Sequence, residues 1–382
     1  MTQAGPAGPR GAAASEVVLR PAAAADPPSA PAHRFRPAPG GPAAVAGWGT
    51  AIPARRVTNH DLAQRVDTSD AWIVERTGIR ERRFAGPGET TTSLAIEAGA
   101  AAITSAGLEP ADIGCCIVAT CTPEQPIPAT AAFVQDGLGL RCGAFDLDAA
   151  CAGFVYALVV GAGLLSTGGL DAVLLVGSET LSRVADPDDR ATCVLFGDGA
   201  GAVVLVPGEP APPLTGPRRP TGPAPGGANA GLLAWDLGCD GSAASLLAVP
   251  AGGSRLPPTP ATVAEGQHFL KMEGQEVFRR AVRAIVDSAA ATMEQVGVTA
   301  AEVDLFVPHQ ANVRIIDAAA TRLGIPAERT FVNIDRYGNT SAASIPIALA
   351  EAADSGRLNH GDLVLMSGFG AGMSWASALL RW

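Results

Sequence analysis

The sequence predicts an α/β protein built from two similar halves and stacked in five layers, αβαβα. Three observations predict it. The segments "AGLEPADIGCCIVATCT" (106–122) and "VGVTAAEVDLFVPHQAN" (296–312) align without a gap, setting Gly107 opposite Gly297, Ala111 opposite Ala301, Asp112 opposite Glu302 and Ile113 opposite Val303. Further matches keep the same order: "LGL" (138–140) with "LGI" (323–325), and "GGLDAVLLVGS" (168–178) with "LNHGDLVLMSG" (358–368). Finally, the strand-like runs are continuously apolar rather than alternating, as expected of parallel strands covered on both faces.

The elements follow in order. Residues 1–42 are Ala-, Pro- and Gly-rich with scattered Arg10, Arg20, Arg34 and Arg36, and are expected to be a disordered extension. They hold no apolar run that could serve as the core of a signal peptide. Residues 43–206 form the first half. There "LAIEAGAAAITS" reads as a helix, "CCIVA" as a strand, and "FDLDAAC" as an extended run leading into the helix "AGFVYALVVGAGLL". The apolar stretch from Ala157 to Val176 is broken by "STGGLD", and Asp171 would be costly in lipid, so it predicts a buried helix followed by a buried strand rather than a membrane span. "FGDGAG" (196–201) lacks the lysine and the strand–helix order of a phosphate loop and is read as a tight connection between strands. A Pro/Gly-rich loop or linker is expected over 207–231, and the second half over 232–382.

Composition narrows the function. With 382 residues, 47% hydrophobic and 17% charged, the chain can bury a large core. A net charge of −10 argues against nucleic acid as a partner, since phosphate binding needs clustered Lys and Arg. The seven cysteines (Cys115, Cys116, Cys121, Cys142, Cys151, Cys193 and Cys239) show neither metal-ligand spacing nor a CxxC pair, which predicts a reduced, cytoplasmic protein without a metal site.

The repeat also directs attention to the carboxyl ends of the strands, where parallel α/β sheets gather their chemistry. His309 ends the strand "VDLFVPH", while Cys151 and Asn339 follow the extended runs "FDLDAAC" and "FVNIDRYGN" and start helical patterns. Cys151 and Asn339 are therefore expected at corresponding places in the two halves. Singly, each has a plain structural reading: an apolar filler, a strand-end histidine, a helix cap. Together they form a constellation. A helix N-terminus is expected to lower the Cys151 pKa, and Ala149, Ala150, Ala152 and Gly153 leave space around the thiol.

Cys151 in "DAACAGF", His309 in "PHQAN" and Asn339 in "YGNTSAAS" resemble the Cys-His-Asn triad of the β-ketoacyl-ACP synthase III (ketosynthase III) family, which has the thiolase fold. The likeness runs from about Ala43 to Trp382 and includes "TNHDLA", "DTSDAWIVERTGIRERR", "DPDDRATCVLFGDGAGAVVL" and "GFGAGMSWASALLRW". It implies an enzyme in which an acyl-CoA primer acylates Cys151. Malonyl-ACP then loses carbon dioxide, and its enolate attacks the thioester to initiate a fatty-acid or polyketide chain. The oxyanion hole would be the backbone N–H groups of Cys151 and Ala371, and the enolate donors His309 Nε2 and the Asn339 amide. Trp72, Arg76, Arg190, Gly274 and Asn312 match positions that hold CoA or its pantetheine arm. Ile127 and Phe196 match the primer pocket, Ile127 on a wall contributed by a dimer partner. Arg279, Arg314 and Arg322 match cations presented to acyl carrier protein. A homodimer without cofactor or metal, and away from nucleic acid and membrane, is implied.

Two departures stand out. "GFGAG" replaces the usual GFGGG, bringing a Cβ to Ala371, and Ile127 stands where acetyl-specific relatives carry Phe, which points to a primer larger than acetyl. An acyltransferase of the same fold, forming no carbon–carbon bond, is the alternative; members that do this often depart from Cys-His-Asn. A thiolase would carry a second, C-terminal cysteine, but the last one here is Cys239. A silent partner subunit would lack Cys151.

Overall fold

The computed structural model describes residues 43–208 and 230–382; the extension at 1–42 and most of the Pro/Gly-rich stretch lie outside the described residues. In the first half, strands β1 (Ala43–Ala51), β2 (Cys115–Ala119), β3 (Gly143–Leu147), β4 (Val173–Thr180) and β5 (Asp198–Pro207) form a sheet in the order β1-β5-β4-β2-β3. The β3, β2 and β4 strands run parallel, and β5 is antiparallel to both its neighbours. In the second half, β6 (Gly231–Cys239), β7 (Leu305–Pro308), β8 (Leu363–Gly370) and β9 (Ser374–Arg381) are ordered β7-β8-β9-β6, with only β7 and β8 parallel.

Seven helices matter to the site: α1 (Asp70–Thr77), α2 (Thr91–Ser105), α3 (Thr130–Gly137), α4 (Gly153–Ser166), α5 (Gly274–Glu294), α6 (Val313–Leu323) and α7 (Ser344–Asp354). Side chains alternate across each sheet. Ile117, Leu175 and Val203 face inward onto Phe154 and Leu158 of α4 and Ile345 and Leu349 of α7. Cys116, Leu174 and Val204 face outward onto α2 and α3. The second sheet does the same, with Val307 and Val364 inward and Phe306 and Leu365 outward toward α5 and α6. Helices α4 and α7 thus lie between the sheets, which gives the αβαβα order and explains why the strands read as unbroken apolar runs. The predicted helix and strand within Ala157–Val176 are α4 and β4. None of the helices among the described residues is long and apolar enough to cross a membrane.

The structure corrects three local readings. First, the duplication sets the turn Ala150–Ala152 against Ser341–Ala343, with φ of 46° at both Ala150 and Ser341, and each turn leads straight into α4 or α7. Cys151 therefore corresponds to Ala342. Asn339 answers instead to Asp148: each side-chain oxygen accepts the backbone N–H two residues on, at 2.8 Å for Asn339 and 2.9 Å for Asp148. Second, "FVNIDRYGN" is not a strand. After the Phe306–Thr330 bridge just before it, Phe331 N–H donates to the Phe306 carbonyl, Asn333 N–H turns to the Gln310 side chain, Ile334–Tyr337 coils into a helical turn, and Asn339 bridges instead to Phe196. Third, "FGDGAG" is no tight connection, because β5 begins at Asp198. The buried Asp198 carboxylate accepts from Ala85 N, Ser182 N and Ser182 Oγ.

The halves meet reciprocally. A Cβ on Gly177 of β4 would lie 2.4 Å from the Ala342 carbonyl, and one on Gly370 of β8 would lie 2.6 Å from the Cys151 nitrogen. Gly177→Ala should therefore cost roughly 1–3 kcal/mol in denaturant unfolding. Gly143→Ala, which meets nothing within 4 Å, should stay within about 0.5 kcal/mol of the parent. Equal effects would contradict this account of the seam.

Candidate active site

Cys151 sits in the turn before α4 and is 8% exposed. Its surroundings reverse one expectation: burial pushes its thiol up to about 12, Ser341 opposes this by hydrogen bonding, and Glu179 and Asp148 add to the rise. Desolvation outweighs the helix N-terminus, so Cys151 rests as a thiol.

His309 follows β7 and is 2% exposed. Its Nδ1 lies 2.6 Å from Ser344 Oγ, which also accepts the Gln310 N–H at 3.3 Å. With the single Ser344 proton turned to Nδ1, the imidazole proton sits on Nε2. Nε2 is buried and has no partner among the described residues. Burial lowers the His309 pKa to about 3, so the ring is neutral at physiological pH. Asn339 is 6% exposed, and the Ser341 N–H occupies its Oδ1. Its amide hydrogens are thereby left for the pocket that Cys151, His309 and Asn339 all line. Two neutral donors thus share that pocket with one thiol.

The pocket is otherwise apolar, walled by Phe196, Leu247, Met272, Val277, Phe278 and Phe369. Gly274 and Asn312 line it as expected. Asn312 caps α6 and donates from Nδ2 to the Arg76 carbonyl at 3.0 Å. Arg76 lies over the Trp72 ring at 4.8 Å, with Arg190 over the same ring at 5.0 Å. Trp72 is held near the start of α1 by the Ser69 cap. These residues run in a chain from the surface to the pocket.

Other expected residues lie apart. Ala371 begins the turn after Gly370, which packs against Cys151, but its side chain is outside the pocket lining. Ile127 is 84% exposed and absent from the pocket of its own chain. Arg279 is paired with Glu276, and Arg314 lies 5.8 Å over the pocket residue Phe278. Arg322 is in the last turn of α6. Among the described residues no His/Cys/Asp/Glu cluster could hold a metal.

Sequence reading missed Glu179, Ser341 and Ser344. The fully buried Glu179 accepts from Thr120 Oγ1, Cys121 N, Thr122 N, Thr122 Oγ1 and Ala342 N. It ties the end of β2 to the turn facing Cys151, and burial raises its pKa against those bonds. Its signal was present: polar "SET" ends an apolar strand that closes against the other half.

Comparisons with known proteins agree with this fold. The family model described as 3-oxoacyl-[acyl-carrier-protein (ACP)] synthase III matches residues 145–214, and its C-terminal counterpart matches 293–382. A β-ketoacyl-[acyl-carrier-protein] synthase III of Roseiflexus castenholzii is 51% identical over 342 residues, 89% of this chain and 98% of the relative. The crystal structure of 3-oxoacyl-[acyl-carrier-protein] synthase III from Aquifex aeolicus VF5 is similar with a TM-score of 0.79 at 42% identity, covering 89% of this chain and 100% of that one. The priming β-ketosynthase of the R1128 polyketide biosynthetic pathway gives a TM-score of 0.79 at 35% identity, covering 91% and 98%.

The electrostatics of the pocket make a direct prediction. In ¹⁵N NMR of labelled imidazole, His309 should show the neutral Nε2–H tautomer from about pH 8 down to about pH 5. Titration near the ordinary value of about 6.5 would contradict the assignment.

Proposed function

The chain belongs to the β-ketoacyl-ACP synthase III family, and from that premise we propose how its residues perform the family's decarboxylative condensation. The observation that carries the reading is one pocket holding a thiol nucleophile and two neutral donors, His309 Nε2–H and the Asn339 amide.

In the first half-reaction Cys151 attacks the acyl-CoA carbonyl, the Cys151 and Ala371 N–H groups receive the oxyanion, and CoA leaves with the thiol proton. In the second, malonyl-ACP replaces CoA. Its C–C bond to the carboxylate breaks, carbon dioxide departs, and the electron pair becomes an enolate held by His309 and Asn339. The enolate carbon attacks the acyl-Cys151 carbonyl. Collapse releases 3-oxoacyl-ACP and the thiolate, which takes up a proton. Neutral donors suit this step, because decarboxylation itself generates the carbanion and no carboxylate base is needed.

Trp72, Arg76 and Arg190 would bind the nucleotide of CoA, with the pantetheine arm running past Asn312 and Gly274. Arg190 stacks directly on Trp72 and also donates to the Asp67 carbonyl at 2.8 Å, so an adenine between them must swing the guanidinium outward. Arg314, in the first turn of α6 and over the pocket residue Phe278, Arg322, in the last turn of the same helix, and Arg279, once freed from Glu276, would face the acidic carrier protein. Exposed Ile127, together with Phe133 on α3 and Phe145 on the edge strand β3, supports a homodimer in which Ile127 walls the partner's primer pocket beside Phe196.

The reading is tested by supplying an acyl-CoA panel with malonyl-ACP and following products by intact mass. A mass corresponding to 3-oxoacyl-ACP is expected; acyl-Cys151 without any condensation product would favour an acyltransferase. Cys151→Ala should abolish acyl-enzyme formation. His309→Ala should leave acylation largely intact but slow condensation at least about 100-fold, and equal loss of both steps would contradict the assigned roles. Ile127→Phe should shift preference from larger primers toward acetyl-CoA; an unchanged preference would remove Ile127 from the pocket wall.

A further inference from the structure

Arg82 is fully buried, at 0% exposure, yet no carboxylate pairs with it among the described residues. Its Nη1 donates to the Val57 carbonyl at 3.3 Å and to Asn59 Oδ1 at 2.8 Å, and its Nη2 to the Val194 carbonyl at 2.8 Å. Burial lowers its pKa to about 10, so it remains a cation at neutral pH. An ion held only by neutral acceptors is costly to bury, and its surroundings show what the position provides.

Two backbone segments cross beside it. Phe196 and Asn339 form an isolated parallel bridge, in which Asn339 N–H donates to the Leu195 carbonyl at 2.8 Å and Gly197 N–H to the Asn339 carbonyl at 3.0 Å. The stem of Arg82 packs on both segments: its Cβ would lie 3.1 Å from a Cβ on Gly197 and 3.2 Å from one on Gly338. Gly338, at φ 66° and ψ −160°, occupies a region that only glycine enters readily. The guanidinium meanwhile anchors the Val194 carbonyl, next to the bridge. From the other side, Arg80 N–H donates to the Asp335 carbonyl at 3.0 Å, in the turn before Asn339. Asn59 extends the network, donating to Asp70 Oδ1 at 2.9 Å and to the Ile79 carbonyl at 2.8 Å. Asp70 opens α1, the helix that carries Trp72.

We propose that Arg82 is a positioning residue for Asn339. It fixes the crossed backbone that carries the Asn339 amide and, through Asn59 and Asp70, ties it to the helix bearing Trp72. The proposal rests on the reading of Asn339 as a donor to the malonyl thioester. Cys151 and its backbone N–H lie on the α4 turn against β8, outside this network, so with acyl-CoA saturating the attack of the thiol does not depend on it.

The test uses the full chain with separate single-turnover measurements of Cys151 acylation and of condensation by acylated enzyme. At saturating acyl-CoA, Arg82→Met should acylate at close to the parent rate but condense roughly 10- to 100-fold more slowly, the scale of a small misplacement of a reacting group. In an Asn339→Ala background, adding Arg82→Met should cause little further loss, since both changes remove one function. Where Arg82→Met does not fold, Arg82→Lys, which keeps the charge but not the fork, gives the same comparison. Equal losses in both half-reactions, or the same loss with and without Asn339, would overturn the proposal. Native condensation by Asn339→Ala would instead overturn the parent reading, and the proposal with it. Loss with Asn339→Ala but none with Arg82→Met would overturn the proposal alone.

Discussion

The site depends on the close crossing of two duplicated turns between two sheets. Each turn begins with a residue other than glycine at φ 46°, Ala150 in one half and Ser341 in the other. Such a backbone costs of order 1–3 kcal/mol and persists only where its surroundings hold it. Here the surroundings are the strands of the opposite half: Gly370 admits the Cys151 nitrogen, and Gly177 admits the Ala342 carbonyl. One turn presents a thiol. Its counterpart presents Ser341, whose hydroxyl meets Cys121, Cys151 and Glu179, while Asn339 and Ser344 flank it.

That geometry divides the work between the halves. In the proposed mechanism the first half supplies the nucleophile, in the turn before a helix buried by both sheets. The second supplies the donors, His309 from the end of β7 and Asn339 from the approach to α7. The same burial that raises Cys151 to about 12 lowers His309 to about 3, so desolvation removes charge from both groups. Cys151 and His309 are therefore both neutral and suited to meeting charge as it develops. Thiolate character has to appear at the moment of attack, beside the N-terminus of α4.

Much of this was legible in the sequence. Gly107 and Gly297, Ile113 and Val303, and the unbroken strands 115–119 and 305–308 sufficed for two stacked halves, because doubly covered strands leave a simple apolar signal. Cys151, His309 and Asn339, which the structure gathers round one pocket, could be singled out because they end or follow strand-like runs. The register of Asn339 was not legible, since "FVNIDRYGN" has strand-like residues that leave β7 after the Phe331 N–H bond, where the Gln310 side chain takes the Asn333 N–H, and Asn339 pairs instead with Phe196. The Cys151 pKa was misread because a helix start is visible in a sequence while the depth of burial is not. Glu179, Ser344 and Arg82 escaped for a related reason: a polar residue in a motif shows its partners only when distant segments close on it. Ile127 shows the converse: its expected place on a pocket wall involves a second copy of the chain, and on its own chain it is 84% exposed.

The central claim is that carbonyl activation resides in His309 and Asn339 and is independent of the nucleophile. The most direct measurement is carbon dioxide release from malonyl-ACP by Cys151→Ala protein, which cannot be acylated at that position. The account predicts that this protein converts malonyl-ACP to acetyl-ACP and carbon dioxide, and that adding Asn339→Ala suppresses the release. No release from Cys151→Ala protein, or undiminished release after the second substitution, would contradict it.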